Sequence, residues 1–259
     1  MPAPPYTVPV ARTTLESNLR RLRAALERAC VSAGRQPGAV DLLAVTKSVG
    51  AERALELARL GQRDLGESRC EGLMEKSGRF AREGERARWH FIGHLQRNKA
   101  RRVVRAADVI HSLDTQHLIE TLERVAREEG RRPQVYLEVQ LCGGEGRHGF
   151  APSAVRDAVL AAGAAAHLEL VGLMTMAPPP LPGRDPGPAA RACFEELARI
   201  AREIVADPGL RAGFAGGRAR LSMGMSGDFR QAIAAGSDCV RVGSALFESL
   251  PEGASEVGR

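Results

Sequence analysis

The feature that most restricts this chain is an alternation. After one amphipathic segment, short apolar runs with strand character and longer segments with helical periodicity take turns to the end of the sequence. The opening segment, residues 13–33, puts Leu15, Leu19, Leu22 and Leu26 on one stripe. Thr13-x-x-Glu16 forms a capping box for it and Gly34 a stop. The run DLLAVT then ends at Thr46, followed by a helix through Leu55 and Leu60, a strand over 64–67 and a helix over 69–80. Further strands are expected at 89–93, 109–113, 135–141 and 168–174, with helices over 97–107, 118–126 and from Pro152 onward between them. APPPLPGRDPGP at 177–188 reads as an irregular loop, because proline removes donors from regular structure. Beyond it come a helix with Phe194, Leu197, Ile200 and Ile204 on its stripe, the strand RLSMG, a helix over 229–235 and the strand CVRVG.

About eight β/α alternations after one extra N-terminal helix favour a closed parallel barrel over an open sheet. The fold class expected is therefore α/β, a single (β/α)8 TIM-type barrel. The chain has 259 residues, and such a barrel uses roughly 250. Residues 1–12 read as a loose arm, 13–250 as the barrel and 251–259 as a tail. No apolar run approaches the roughly 20 residues needed to cross a bilayer, and the start resembles no signal peptide. Five scattered cysteines, Cys30, Cys70, Cys142, Cys193 and Cys239, show no metal-ligand spacing. Reduced thiols in a cytoplasmic protein are expected.

The way the positive charge is made is informative. Lys47, Lys76 and Lys99 are the only lysines; every other residue in the Lys+Arg total of 37 is arginine. Arginine replaces lysine as a solvated cation but not as a primary-amine nucleophile. Lys47 ends the first predicted strand, at the carboxyl rim where barrels place their chemistry. Lys76 sits among Glu75, Ser77 and Arg79 on a helix that reads as polar. LSMGMSGDF at 221–229 is a strand running into a Gly/Ser turn and a helix, an arrangement that aims free backbone N–H groups at an anion. VRVGSALF at 240–247 adds a second such turn, with Gly243 and Ser244, after the last strand. Two turns after the last two strands match a common barrel phosphate site. Arg241 lies within that apolar strand and needs a buried partner, either a neighbouring strand or a ligand in the mouth.

His90 and His94 would stand about 13 Å apart along one strand, so no metal is expected between them. The arginines at 97, 101, 102 and 105 could touch nucleic acid. Ala100, Val103, Val104 and Ala107 nevertheless form the other face of that helix, as on a solvated barrel helix, and aromatics for base stacking are scarce.

Taken together, AVTK (44–47), WHFIGHLQRNK (89–99), GLMTM (172–176), LSMGMS (221–226) and VRVGSALF resemble the pyridoxal phosphate homeostasis protein family, which is similar to the N-terminal barrel domain of alanine racemase. The resemblance implies pyridoxal 5'-phosphate (PLP) held as a Schiff base on Lys47. It also implies phosphate contacts at Ser222, Gly243 and Ser244, and Arg241 facing the pyridine nitrogen. It implies a cofactor storage or delivery role, with apo PLP-dependent enzymes as recipients and no substantial catalysis. The racemase's opposite base is a tyrosine from a second domain, whereas only Tyr6 and Tyr136 occur here. A PLP-dependent amino-acid racemase is the alternative. Two departures stand out: Ser68 where the family has asparagine, and Arg147 where it has lysine.

Overall fold

In the computed structural model, which describes residues 14–142, 148–179 and 185–247, eight parallel strands close into one barrel. The predicted arm and tail, Thr13, Tyr6 and Arg147 lie outside the described residues. In chain order the elements are α1 (Thr14–Ser32), β1 (Asp41–Val45), α2 (Ala51–Arg59), β2 (Asp64–Glu67), α3 (Cys70–Arg82) and β3 (Arg88–Phe91). Next come α4 (Ala100–Ala106), β4 (Val109–Leu113), α5 (Gln116–Glu128), β5 (Gln134–Glu138), α6 (Val155–Ala164) and β6 (Glu169–Met174). The last are α7 (Gly187–Ala206), α8 (Pro208–Arg211), β7 (Arg220–Ser222), α9 (Phe229–Ala234), β8 (Cys239–Val242) and α10 (Ser244–Phe247). Each strand pairs with its sequence neighbour, and β8 closes the ring on β1 from Asp41↔Cys239 to Ala44↔Val242.

The apolar residues divide between two cores. Strand residues such as Leu65, Ile110, Val135, Leu170 and Val240 face outward and pack with the helix stripes, while Val109, Tyr136, Val171 and Met174 form a separate cluster. Alternation along the strands produces this division, and register irregularities in the β4–β5 and β5–β6 pairings let Ile110 and Leu113, and Leu170 and Leu173, share the outer face at odd spacing. The extra helix α1 buries Leu15, Leu19, Leu22, Leu26 and Cys30. It packs on α9 and α10, and Asn18 Nδ2 donates to the Leu246 carbonyl at 3.0 Å.

Three expected boundaries shift. The Pro-rich loop ends sooner than expected, because α7 begins at Gly187 with Pro188 in its first turn, where a missing N–H costs nothing. β5 stops at Glu138, and the chain beyond it makes one bridge, Val139↔Phe150. The basic helix opens with a 3-10 turn, Arg97–Lys99, before α4. Three of its four arginines are engaged in ion pairs: Arg101 and Arg105 with Glu129, Arg101 also with Glu128, and Arg102 with Glu71.

β6 approaches β7 so closely that a Cβ on Gly172 would stand 1.9 Å from the Arg220 carbonyl oxygen. Both sides of this contact are strand backbone, so nothing flexible can yield. Gly172→Ala is therefore expected to destabilise the barrel by about 1–3 kcal/mol or more, measured by urea unfolding. A change within ~0.5 kcal/mol, the size of a neutral surface substitution, would show that the strands part freely.

Candidate functional site

Three adjacent strand ends, those of β7, β8 and β1, bring the predicted residues together. Ala44 is level with Val242, so Lys47 leaves the barrel beside Gly243 and Ser244. The contact is close: a Cβ on Gly243 would lie 3.1 Å from the Val45 carbonyl oxygen, which makes glycine the fitting residue there. On the other side, Arg241 N–H donates to the Gly224 carbonyl at 2.9 Å, tying the turn after β7 to β8.

The three lysines differ sharply. Lys99 pairs with Glu71 at 3.3 Å, and Lys76, only 4% exposed, forms an ion pair with buried Glu67. Lys47 is exposed and has no carboxylate partner among the described residues. Lys76 thus lies on the inner face of α3, not on the polar face expected. The spacing of buried Cys70, Leu73, Lys76 and Phe80 explains this, since i, i+3 and i+4 steps share one helix face. Its ammonium also donates to the Thr46 carbonyl at 2.8 Å, and the Thr46 hydroxyl donates to Glu67 Oε1 at 2.7 Å. The peptide immediately before Lys47 is thereby clamped from below.

Arg241 faces into the barrel. Its Nη1 donates to the Ser222 carbonyl and to Ser222 Oγ, each at 2.7 Å, and Nη2 donates to the Thr175 carbonyl at 2.9 Å. Burial lowers its pKa. From Ser222 a row of bonds continues: Ser222 Oγ to His111 Nδ1, His111 Nε2 to His90 Nδ1, and His90 Nε2 to Asp64 Oδ1, each at 2.9 Å. The direction of donation is fixed from the Asp64 end, because an ionised carboxylate only accepts and a neutral imidazole that donates from one nitrogen accepts at the other. Ser222 therefore gives its proton to His111, His111 donates to His90, and His90 donates to Asp64. Burial pushes His90 and His111 below the usual imidazole range, and the nearby Arg241 charge adds to the effect on His111. For Asp64 burial acts upward, but the His90 hydrogen bond and the Arg88 charge outweigh it and hold the carboxyl below its ordinary value. Tyr136 stacks on His111 with centroids 4.5 Å apart, and burial raises its phenol pKa. Nothing in the sequence reading singled out His111, although strand alternation places it on the same face as Val109.

Across the mouth lies a cavity of about 610 Å³ lined by Ile92, His94, Glu138, His148, Met176 and Met225 among others. On its wall His94 Nδ1 is 3.0 Å and His148 Nδ1 3.9 Å from Asp114 Oδ2. His90 and His94 thus go to different places, one into the interior row and one to the rim.

This chain, a closed parallel barrel, matches the alanine racemase N-terminal domain family over residues 12–251. Within that class, it belongs to the pyridoxal phosphate homeostasis protein family. The protein of that name from Mycobacterium leprae is 37% identical over 245 residues, covering 88% of this chain and 90% of the relative. The one from Deinococcus radiodurans is 38% identical over 227 residues, covering 86% and 96%. The structure of PipY from Synechococcus elongatus with PLP bound is 32% identical and superposes with a TM-score of 0.76, covering 90% of this chain and all of that one. Alanine racemase of Clostridium difficile shares the fold, with a TM-score of 0.64 at 14% identity; 93% of this chain matches 60% of that one.

The buried row makes stability depend on pH. An unfolded chain protonates its histidines below the ordinary 6.5, whereas His90 and His111 resist protonation when folded. Unfolding then takes up protons, so stability falls as pH drops below about 6.5. Asp64 contributes separately and lower, its stabilisation being lost as pH falls below 3.8 through its depressed folded value. Thermal melts from pH 7.5 to 5 are expected to show a falling Tm, and His111→Gln a shallower fall from a lower start. An unchanged slope in that variant would remove the row as its source.

Proposed function

We propose that this chain holds PLP as a Schiff base on Lys47 and serves in cytoplasmic PLP homeostasis, storing the cofactor and delivering it to apo PLP-dependent enzymes, without substantial catalysis of its own. The observation that carries the reading is the placement of Lys47: of three lysines it alone lacks a carboxylate partner among the described residues, and it stands beside the Gly243–Ser244 turn. The relatives' names and PLP in the PipY structure support the same cofactor. No helix of the described residues is long and apolar enough to cross a membrane.

The residues present fit such a group. Lys47 supplies an accessible amine, and the turns at 223–228 and 243–244 supply leading N–H groups for a phosphate. When bound, PLP supplies an aldehyde and an electron-withdrawing ring. Ser222 is fully buried with its hydroxyl engaged by Arg241 and His111, so its side chain acts toward a phosphate by holding the β7 turn in place. Arg241 would supply a cation toward the cofactor ring, where it would disfavour protonation of the pyridine nitrogen and so weaken the ring as an electron sink. Glu67 and Lys76 are positioning residues, because they fix the Thr46 peptide from which Lys47 extends.

Absence of turnover rests on the tyrosines. Tyr136 is buried inside the barrel against His111, with its pKa raised by burial, so it cannot reach the rim as a second base. The racemase alternative requires such a base opposite Lys47.

Borohydride reduction of PLP-loaded protein followed by peptide mapping is expected to place the adduct on Lys47; an adduct on Lys99 with Lys47 unmodified would overturn the site. Gly243→Asp is expected to lose PLP almost completely and Gly243→Ala less, with circular dichroism confirming that both fold. Full PLP occupancy in Gly243→Asp would move the phosphate elsewhere.

Incubation with L-alanine in deuterated water is expected to give at most slow α-proton exchange without net change of chirality. Racemisation on the order of 1 per second or faster, abolished by Lys47→Ala, would make the protein a racemase.

A further inference from the structure

We propose that His94, Asp114 and His148 form a binding site for a first-row divalent cation of the zinc type, open toward the rim cavity. The three residues follow β3, β4 and β5 in turn, on the arc of the mouth opposite the β7, β8 and β1 ends that present Lys47 and the Gly-Ser turns. Their ligand atoms all lie within 4.8 Å of one another.

The argument begins with Asp114. Its side chain is 3% exposed, and its ion-pair partners among the described residues are the two imidazoles, with no lysine or arginine. A buried carboxylate demands a compensating cation. Either a proton shared with the histidines or a metal ion can supply one. The arrangement favours the ion, because both histidines turn Nδ1 toward the same oxygen, Asp114 Oδ2. One bonding pair would satisfy a simple His–Asp contact; two nitrogens converging on one carboxylate oxygen make a three-donor set. His94 and His148 stack with centroids 3.7 Å apart and planes at 14°, which leaves their lone pairs in two nearly parallel planes. Convergence on an ion needs one ring to swing about its side-chain bonds. Both histidine side chains are 44% exposed and have that room, while buried Asp114 is the fixed point.

Two imidazole nitrogens and one carboxylate oxygen suit zinc, cobalt, nickel or copper; calcium and magnesium prefer oxygen-rich shells. Three protein ligands leave a fourth position of a tetrahedral ion open. That position faces the cavity with Glu138 and Met176 on its wall, so a water or an oxygen donor from a small ligand can complete the shell. From sequence His90 and His94 stand too far apart along a strand to share an ion, and no metal is expected there. The true partners, Asp114 and His148, come from other loops.

The test uses the full chain, freed of metal with a chelator and titrated with Co2+ by visible absorption and with Zn2+ by calorimetry. One ion per chain is expected, with Kd on the order of micromolar or tighter, and His148→Gln and Asp114→Asn should each weaken it at least about tenfold. His148→Gln alters an exposed side chain, so it keeps the test valid if Asp114→Asn fails to fold. Lys47→Ala should bind the ion as the parent does, which separates this site from the PLP reading. Cys142 and Cys193, with sulfurs 3.3 Å apart, are the competing soft donors, and Cys142→Ser should leave binding intact. No binding at millimolar Co2+, or binding that survives His148→Gln and disappears in Cys142→Ser, overturns the proposal. A histidine pair that only shares a proton with Asp114 gives the first of those results.

Discussion

The row from Arg241 through Ser222, His111 and His90 to Asp64 spans a barrel interior that would otherwise be filled with aliphatic side chains. Its two ends carry opposite charge and its middle is neutral, so each bond must run in one direction. A buried row of this kind is satisfied as a whole or not at all. Removing one member leaves a neighbour without its partner at about 1–3 kcal/mol, and more where the neighbour is charged. Arg241 also holds the carbonyls of Ser222 and Thr175, so the ends of β6, β7 and β8 are joined through one guanidinium. The turns at the rim take their positions from that joint.

A second clasp works on the next arc of the ring. Lys76 from α3, Glu67 from β2 and Thr46 after β1 form a compact buried group directly under Lys47. Breaking such a pair typically costs 3–5 kcal/mol, roughly, because one charge is left buried alone. The exposed lysine therefore extends from one of the most firmly held peptides of the rim. Rigid support beneath a free amine is what a site needs if the amine, and not the backbone, is to do the moving.

Much of this was legible in the sequence because it is local or periodic. Strand and helix alternation gave the barrel, and an amine at the end of the first apolar run marked Lys47. The burial of Arg241 followed from its place between two valines. What escaped notice depends on contacts between distant segments. His111 looked like one polar residue in VIHSL until β3 and β7 were set on either side of it. Lys76 differs for another reason: its sequence neighbours are polar, but its spacing from Leu73 and Phe80 places it on the buried stripe. The His94, Asp114 and His148 group joins three loops, and no spacing along the chain records that meeting.

The distribution of amines has a further consequence. An aldehyde cofactor condenses with any accessible primary amine, so a protein that handles one risks labelling itself at random. In this chain that risk is reduced: Lys76 is sealed in a buried ion pair, Lys99 is paired with Glu71 at the surface, and elsewhere the basic side chains are guanidinium groups that form no comparable adduct. The arginine-rich surface keeps its positive charge while offering an aldehyde few amines, so under the proposed reading selectivity for Lys47 would arise as much from the quiet of the surroundings as from the site itself.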